Sequence, residues 1–392
     1  MVRDKSFHGP ALFSYGFRPF FLAATLFGLG VIPLWWLVWE GHVTLASTLH
    51  PTDWHIHEMI YGYAAAVVAG FLFTAVPNWT GRLPTRGWPL AALLALWVAG
   101  RLVVAGFAGP GPLVTALVDQ AFLLAVAAMI AREVVAGRNW RNLKVLVPVS
   151  LLWLANLAYH AEAALTGTAW HGHRAGIALL VFLILLIGGR IVPSFTRNWL
   201  VQRGNTALPV PFNRFDGAAL ALGALALASW VAAPASRTTA ILCAIAALLH
   251  LLRLARWRPQ ATWRSPLLLM LHLAYLFVPL GLAATSAAAL GLATEATATH
   301  LLGIGAIGGM TVAVMMRATM GHTGRPLIAG PALAAAFALT LLAGFSRIAA
   351  GWLQGGPALS ALLWTAAFTL LAIRLAPMLA RPKTTRRQAS AT

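Results

Sequence analysis

Apolar runs long enough to cross a bilayer recur from one end of the chain to the other, and this sets its fold class before any other feature is weighed. A helix needs about 20 apolar residues to span ~30 Å of hydrocarbon. Twelve such runs are read, at approximately 17–39, 55–76, 90–107, 112–136, 145–165, 175–193, 215–233, 238–256, 266–292, 296–320, 330–352 and 357–379. Proline and glycine punctuate the joints, as at Pro77, Pro84 and Pro89. With no water in the hydrocarbon core, spanning segments of this length satisfy their backbone groups as helices. The expected class is all-α: a polytopic membrane helical bundle of about twelve transmembrane helices. Only 9% of residues are charged, against about 25% in a soluble domain.

The charge pattern orients the chain. A net charge of +19 would suggest nucleic acid as the partner of a soluble protein. Here the basic residues lie mostly between apolar runs, so no nucleic acid is expected. Alternate loops carry Arg82 and Arg86, then Arg132, Arg138, Arg141 and Lys144, then Arg197, Arg203 and Arg214, then Arg256, Arg258 and Arg264, then Arg317 and Arg325. The opposite loops carry only Arg174 and Arg237. The positive-inside rule then puts both termini in the cytoplasm. The N-terminus lacks a cleavable signal pattern. The expected organisation is a single twelve-span domain over 1–380, embedded in membrane lipid, followed by a basic disordered tail over 381–392. No internal repeat is apparent, which argues against a transporter built of paired halves. Cys243 is the only cysteine, so an intramolecular disulfide and a four-cysteine iron–sulfur cluster are excluded.

Orientation turns the histidines into a map. Eight of the twelve, His42, His50, His55, His57, His160, His171, His173 and His300, fall on or near the outer side, which has few basic residues. Imidazole is the commonest metal ligand and suits copper, haem iron and zinc. His55 and His57 begin span two, with Asp53 as the expected N-cap. Two residues apart, they point in nearly opposite directions on a regular helix, so they share one metal only if the helix start is irregular. Interfacial hydrogen bonding is the other reading. His160 lies on span five with Asn156 and Glu162, as ligand or cap. His171 and His173 read as loop residues. His272 is deep enough to need a partner, either a haem iron or a neighbouring helix. His300 is followed by Gly305 and Gly309, a spacing that admits a neighbouring helix or a flat cofactor. His322 reads as the organiser of a turn.

Two arginines stand inside spans, Arg101 and Arg347. A buried guanidinium wants a carboxylate. Haem propionates would serve, and Glu58, Asp119, Glu162 and Glu295 are the competitors from the chain itself.

Several segments together resemble the NnrS family: Phe17-Arg18-Pro19-Phe20-Phe21, Trp54-His55-Ile56-His57-Glu58-Met59, Pro77-Asn78-Trp79-Thr80-Gly81, Gly188-Gly189-Arg190, and Met316 to Arg325 with its His322-Thr323-Gly324-Arg325 run. The likeness covers essentially the full chain. It implies a multi-pass protein of the bacterial inner (cytoplasmic) membrane that binds haem b and copper and takes part in the nitric oxide response.

Three functions compete. The first is binding, with or without reduction, of nitric oxide at a haem–copper centre toward the periplasmic side, which protects against nitrosative stress. The metal ligands would come from His55, His57, His160, His272 and His300. Arg101 and Arg347 would hold haem propionates, and Gly305 and Gly309 would lie against the cofactor. Glu58 would carry protons. Reduction would make the protein an oxidoreductase. It would also need a separate electron donor, because no Cys-x-x-Cys-His haem attachment motif is present. The second function is transport of metal ions or haem. The third is a nitric oxide buffer or sensor without turnover.

Overall fold

The computed structural model describes residues 7–349 and 355–384. Arg3 and Lys5, the end of span eleven up to Trp352, and the tail beyond 384 lie outside the described residues. The described residues form helices and no strands. Twelve long helices follow one another: α1 Phe17–Trp39, α2 Pro51–Thr80, α3 Trp88–Val104, α4 Gly111–Ala136, α5 Leu143–Thr166, α6 Trp170–Val201, α7 Arg214–Ala232, α8 Arg237–Ala255, α9 Pro266–Ala289, α10 Glu295–His322, α11 Gly330–Ala349 and α12 Gly356–Ala380. Eleven are long and apolar enough to cross a membrane. The exception, α3, has 17 residues, about 25 Å at 1.5 Å per residue.

The helix ends follow local chemistry. Proline opens α2, α3, α4 and α9 in the first turn, where its missing N–H costs nothing. Gly81 and Gly167 close α2 and α5 in the left-handed region, at φ 70° and 84°. An Asn213–Asp216 capping box starts α7. Because Pro51 opens α2, Asp53 is not its N-cap: His50 holds that position, and Asp53 sits in the first turn. Pro77 and Pro193, read as span ends, are instead carried inside α2 and α6.

Three helices are longer than the rest: α2, α6 and α10, with 30, 32 and 28 residues. Each contains a stretch of wide π turns, at Glu58–Ala64, Ile184–Gly188 and Leu301–Gly308. Such turns gather at functional sites. Aligning these helices uncovers a repeat that the sequence reading missed. Trp54, His55, His57, Val76, Pro77 and Thr80 each recur 116 residues later as Trp170, His171, His173, Val192, Pro193 and Thr196. His57, Gly62, Thr80, Gly81 and Arg82 recur 243 residues later as His300, Gly305, Thr323, Gly324 and Arg325. In all three, the threonine hydroxyl donates back to a carbonyl four residues earlier: Thr80 to Val76, Thr196 to Val192 and Thr323 to Thr319, at 2.9, 2.9 and 2.6 Å. The repeated helix is the second of four each time.

By contacts the chain falls into two compact units. The first comprises Met1–Ala169, Ala318–Pro326 and Leu371–Thr392. Phe17, Phe20, Phe21, Leu72, Phe73 and Phe122 are buried in it. Arg18 is buried too, and its Nη1 donates to the carbonyls of Leu379 and Arg381 at 2.8 and 2.6 Å, capping the end of α12. His322 ends α10 and stacks on Tyr15 with ring centroids 5.8 Å apart, and Thr384 N donates to the carbonyl of the neighbouring Thr323.

The second unit comprises Trp170–Arg317 and Leu327–Leu370. Its polar core is Arg253 on α8. The guanidinium donates to Asp216 Oδ1 at 2.9 Å, to the Leu185 carbonyl in the π stretch of α6 at 2.9 Å, and to Tyr275 Oη at 3.2 Å. Gly189 leaves the room: a Cβ there would lie 2.5 Å from the guanidinium. The wide turns free backbone carbonyls, and buried donors satisfy them.

Candidate metal centre

The densest polar cluster of the first unit assembles about 9 Å in from the start of α2, counting 1.5 Å per residue from Pro51 to His57. His57 is fully buried. One ring nitrogen, Nδ1, faces Glu58 Oε1 at 3.1 Å. The other, Nε2, faces Asp119 Oδ2 of α4 at 3.1 Å and Asn156 Oδ1 of α5 at 3.0 Å. His160, one turn beyond Asn156 and so on the same face of α5, directs its Nε2 to the same Asp119 Oδ2, also at 3.1 Å. Asn156 Nδ2 donates to that oxygen at 2.7 Å. One ligand atom each from His57, Asp119 and His160 lies within 4.8 Å of the other two.

Arg101, near the end of α3, holds the carboxylates in place. Its Nη1 donates to Glu58 Oε1 at 2.6 Å and its Nη2 to Asp119 Oδ1. The chain's own acids thus answer this guanidinium, both from among the competitors read from sequence. Tyr61 and Tyr159 wall the imidazole, each with its ring centroid 5.3 Å from that of His57, and the Tyr159 hydroxyl donates to the Asp53 carbonyl at 2.8 Å.

The π stretch starts at Glu58 and turns this side chain toward Arg101. The Gly62 carbonyl inside it accepts from Trp97 Nε1 at 3.0 Å. Two glycines make the approach possible. A Cβ at Gly62 would lie 2.6 Å from Arg101 Nη1, and one at Gly100 would lie 3.0 Å from Asp119 Oδ1. Sequence reasoning passed over both, although the Gly62–Gly305 match was there to be read. Gly62→Ala is expected to destabilise the first unit by about 1–3 kcal/mol through overpacking. Thermal melting of the purified protein checks this, with Gly217→Ala as control, since nothing lies within 4 Å of a Cβ at that position.

The other expected site residues fall elsewhere. His55 points away from His57 and stacks flat on Trp35 of α1, with ring centroids 4.7 Å apart. His272 is buried in the second unit and meets Thr196 Oγ1 through Nε2 at 2.9 Å, while its Nδ1 has no partner among the described residues. His300 is half-buried on α10, with Nδ1 donating to Ala296 O at 2.7 Å. Gly305 lies under the Phe277 ring and Gly309 against Ala274 of α9, so this pair receives a neighbouring helix. Arg347 stands near the end of α11 in the second unit. Of the five expected metal ligands, the structure brings together His57 and His160, and adds Asp119.

A family model described as NnrS protein matches residues 11–383. The chain belongs to the NnrS family. A search of curated proteins finds no match. Membership makes this a membrane protein of the nitric oxide response. Of the NnrS motif histidines named from sequence, His57 is the one at the heart of the cluster, and the glutamate that follows it belongs to the same network.

Proposed function

We propose that this protein binds nitric oxide at a metal centre held by His57, His160 and Asp119, and that the metal is copper. The observation that carries the reading is the convergence of two imidazole nitrogens and a carboxylate oxygen in a buried pocket. That donor set fits a first-row transition ion and leaves positions for a small ligand. Glu58 accepting from His57 Nδ1–H fixes the tautomer that presents Nε2 to the metal, the usual arrangement around a ligating histidine. With both termini cytoplasmic, the centre lies in the outer half of the membrane, where an apolar gas dissolved in lipid arrives directly.

The metal supplies ligation and one-electron redox chemistry. The rest falls to the chain. Arg101 offsets the carboxylate charge, Tyr61 and Tyr159 keep bulk water out, and Glu58, which faces His57 Nδ1, is the group placed to carry protons. Reduction of two nitric oxide molecules consumes two electrons and two protons, releases nitrous oxide and water, and draws its electrons from a separate donor. Haem b, the second cofactor of the reading, would be held by an imidazole outside this cluster, His272 or His300.

The test uses detergent-purified full-length protein, with metal analysis and optical spectra of the oxidised and reduced states, with and without nitric oxide. Near-unit copper and a spectrum that responds to the gas are expected. His57→Ala or His160→Ala should remove the copper while the protein still inserts. Because protons compete for the same imidazole and carboxylate atoms, copper should be released progressively as the pH is lowered. Full copper retention by both variants would sink the assignment.

A further inference from the structure

Between the loop that joins α2 to α3 and the last turns of α4 lies a cavity of about 400 Å³. Its charged lining is Arg82 and Arg86 of the loop, with Arg132 and Glu133 of α4. Both oxygens of Glu133 are engaged: Oε2 accepts from Arg82 Nε at 2.6 Å, and Oε1 from Arg132 Nη2 at 3.1 Å. One carboxylate thus draws two guanidiniums to the same wall. Three guanidiniums against one carboxylate leave the lining with an excess of two positive charges.

The frame around the cavity is fixed at both ends. Gly81 turns the chain out of α2, and Gly87 N donates to Phe13 O at 2.9 Å, which ties the far end of the loop to the segment before α1. Pro84 and Pro89, also in the lining, restrict the backbone between. The end of α4 is set against the end of α2, since a Cβ at Gly137 would lie 2.8 Å from Thr80 Cβ. Arg82 and Arg132 therefore stand side by side before any ligand arrives.

We propose that this cavity is a binding site for the phosphate of an anionic phospholipid. A guanidinium fork matches two oxygens of a phosphate, and basic pockets between spans on the cytoplasmic side take lipid headgroups. The surroundings favour a lipid over a soluble anion. Leu83 on the cavity wall and Trp88 at the start of α3 are both exposed, and a tryptophan at a span end belongs at the headgroup level. Leu124 and Ala128 are exposed at four-residue spacing from Arg132, so they lie on its face of α4 and give an acyl chain an apolar surface to follow. The site stands apart from the copper centre, and neither depends on the other.

The experiment uses delipidated full-length protein in detergent. Native mass spectrometry measures binding of short-chain phosphatidylglycerol, short-chain phosphatidylcholine and inorganic phosphate. It compares wild type with Arg82→Gln, Arg82→Lys, Arg132→Gln and Arg203→Gln. Arg203 is the control, an exposed arginine of another basic loop, 4.0 Å over the Trp199 ring. Wild type should bind phosphatidylglycerol at least about tenfold more tightly than phosphatidylcholine, and Arg82→Gln and Arg132→Gln should each weaken it by a similar factor. Arg82→Lys, which keeps the charge without the fork, should retain part of the binding, and Arg203→Gln all of it. Exposed ion pairs contribute little to stability, so the lipid-free variants should melt near the wild-type midpoint, which separates lost binding from lost fold. Equal binding of the two lipids, no change in Arg82→Gln and Arg132→Gln, or an equal loss in Arg203→Gln would overturn the proposal. Inorganic phosphate that binds in the cavity and is not displaced by phosphatidylglycerol would overturn it too, by putting a soluble anion in the lipid's place.

Discussion

Replacing Arg101 with methionine is expected to cost the protein most of its folded population. Methionine matches the aliphatic stem of arginine but leaves Glu58 and Asp119 facing each other in a buried site without their shared counter-charge. Breaking a buried ion pair by removing one partner costs about 3–5 kcal/mol, and here one cation answers two acids. The measurement is the yield of monodisperse protein and its thermal midpoint in detergent. Adding Glu58→Gln and Asp119→Asn to Arg101→Met removes the stranded charge and should recover much of the loss. A single variant as stable as wild type would mean that the carboxylates are neutral in the folded protein, and the electrostatic account of the cluster would fall.

The second large effect is expected on the metal. Asp119 is the meeting point of the cluster, with one oxygen facing both imidazoles and the other facing Arg101. Asp119→Asn keeps the shape and removes the charge. It should weaken copper binding at least about 100-fold, the upper range for outer-shell partners of a metal site, since this residue is proposed as a ligand itself. Competition with a chelator of known affinity gives the number. Asn156→Ala removes only a hydrogen bond to the same oxygen and should cost less, about tenfold. Equal losses for the two would make Asp119 a positioning residue and leave the metal to the imidazoles.

Much of this was legible in the chain. Apolar length gave the helices, because a bilayer demands it of each span separately. The isolated Arg101 marked the cluster, because charge inside a span is rare without cause. What sequence left open was which acid would meet which base. Asp119 is one polar residue in the apolar run of α4, and only the packing of α3, α4 and α5 brings it to His57. His55 and His57, two apart on the helix, were expected to point in nearly opposite directions, and one faces Trp35 while the other faces the core. The repeat escaped notice because its matching residues are sparse, separated by apolar positions that any hydrophobic residue can fill. The glycines escaped for a related reason: in apolar helices they are common, and only the neighbouring guanidinium shows which ones matter.

The cap that Arg18 places on α12 bears on how the protein is made. Arg18 and Leu379 are 361 residues apart in the chain, so a ribosome must finish nearly the whole protein before this guanidinium meets its acceptors. Until then it rests at the edge of the first span, where a long side chain can reach the membrane surface. Its withdrawal into the core is a late event of assembly that joins the first helix inserted to the last.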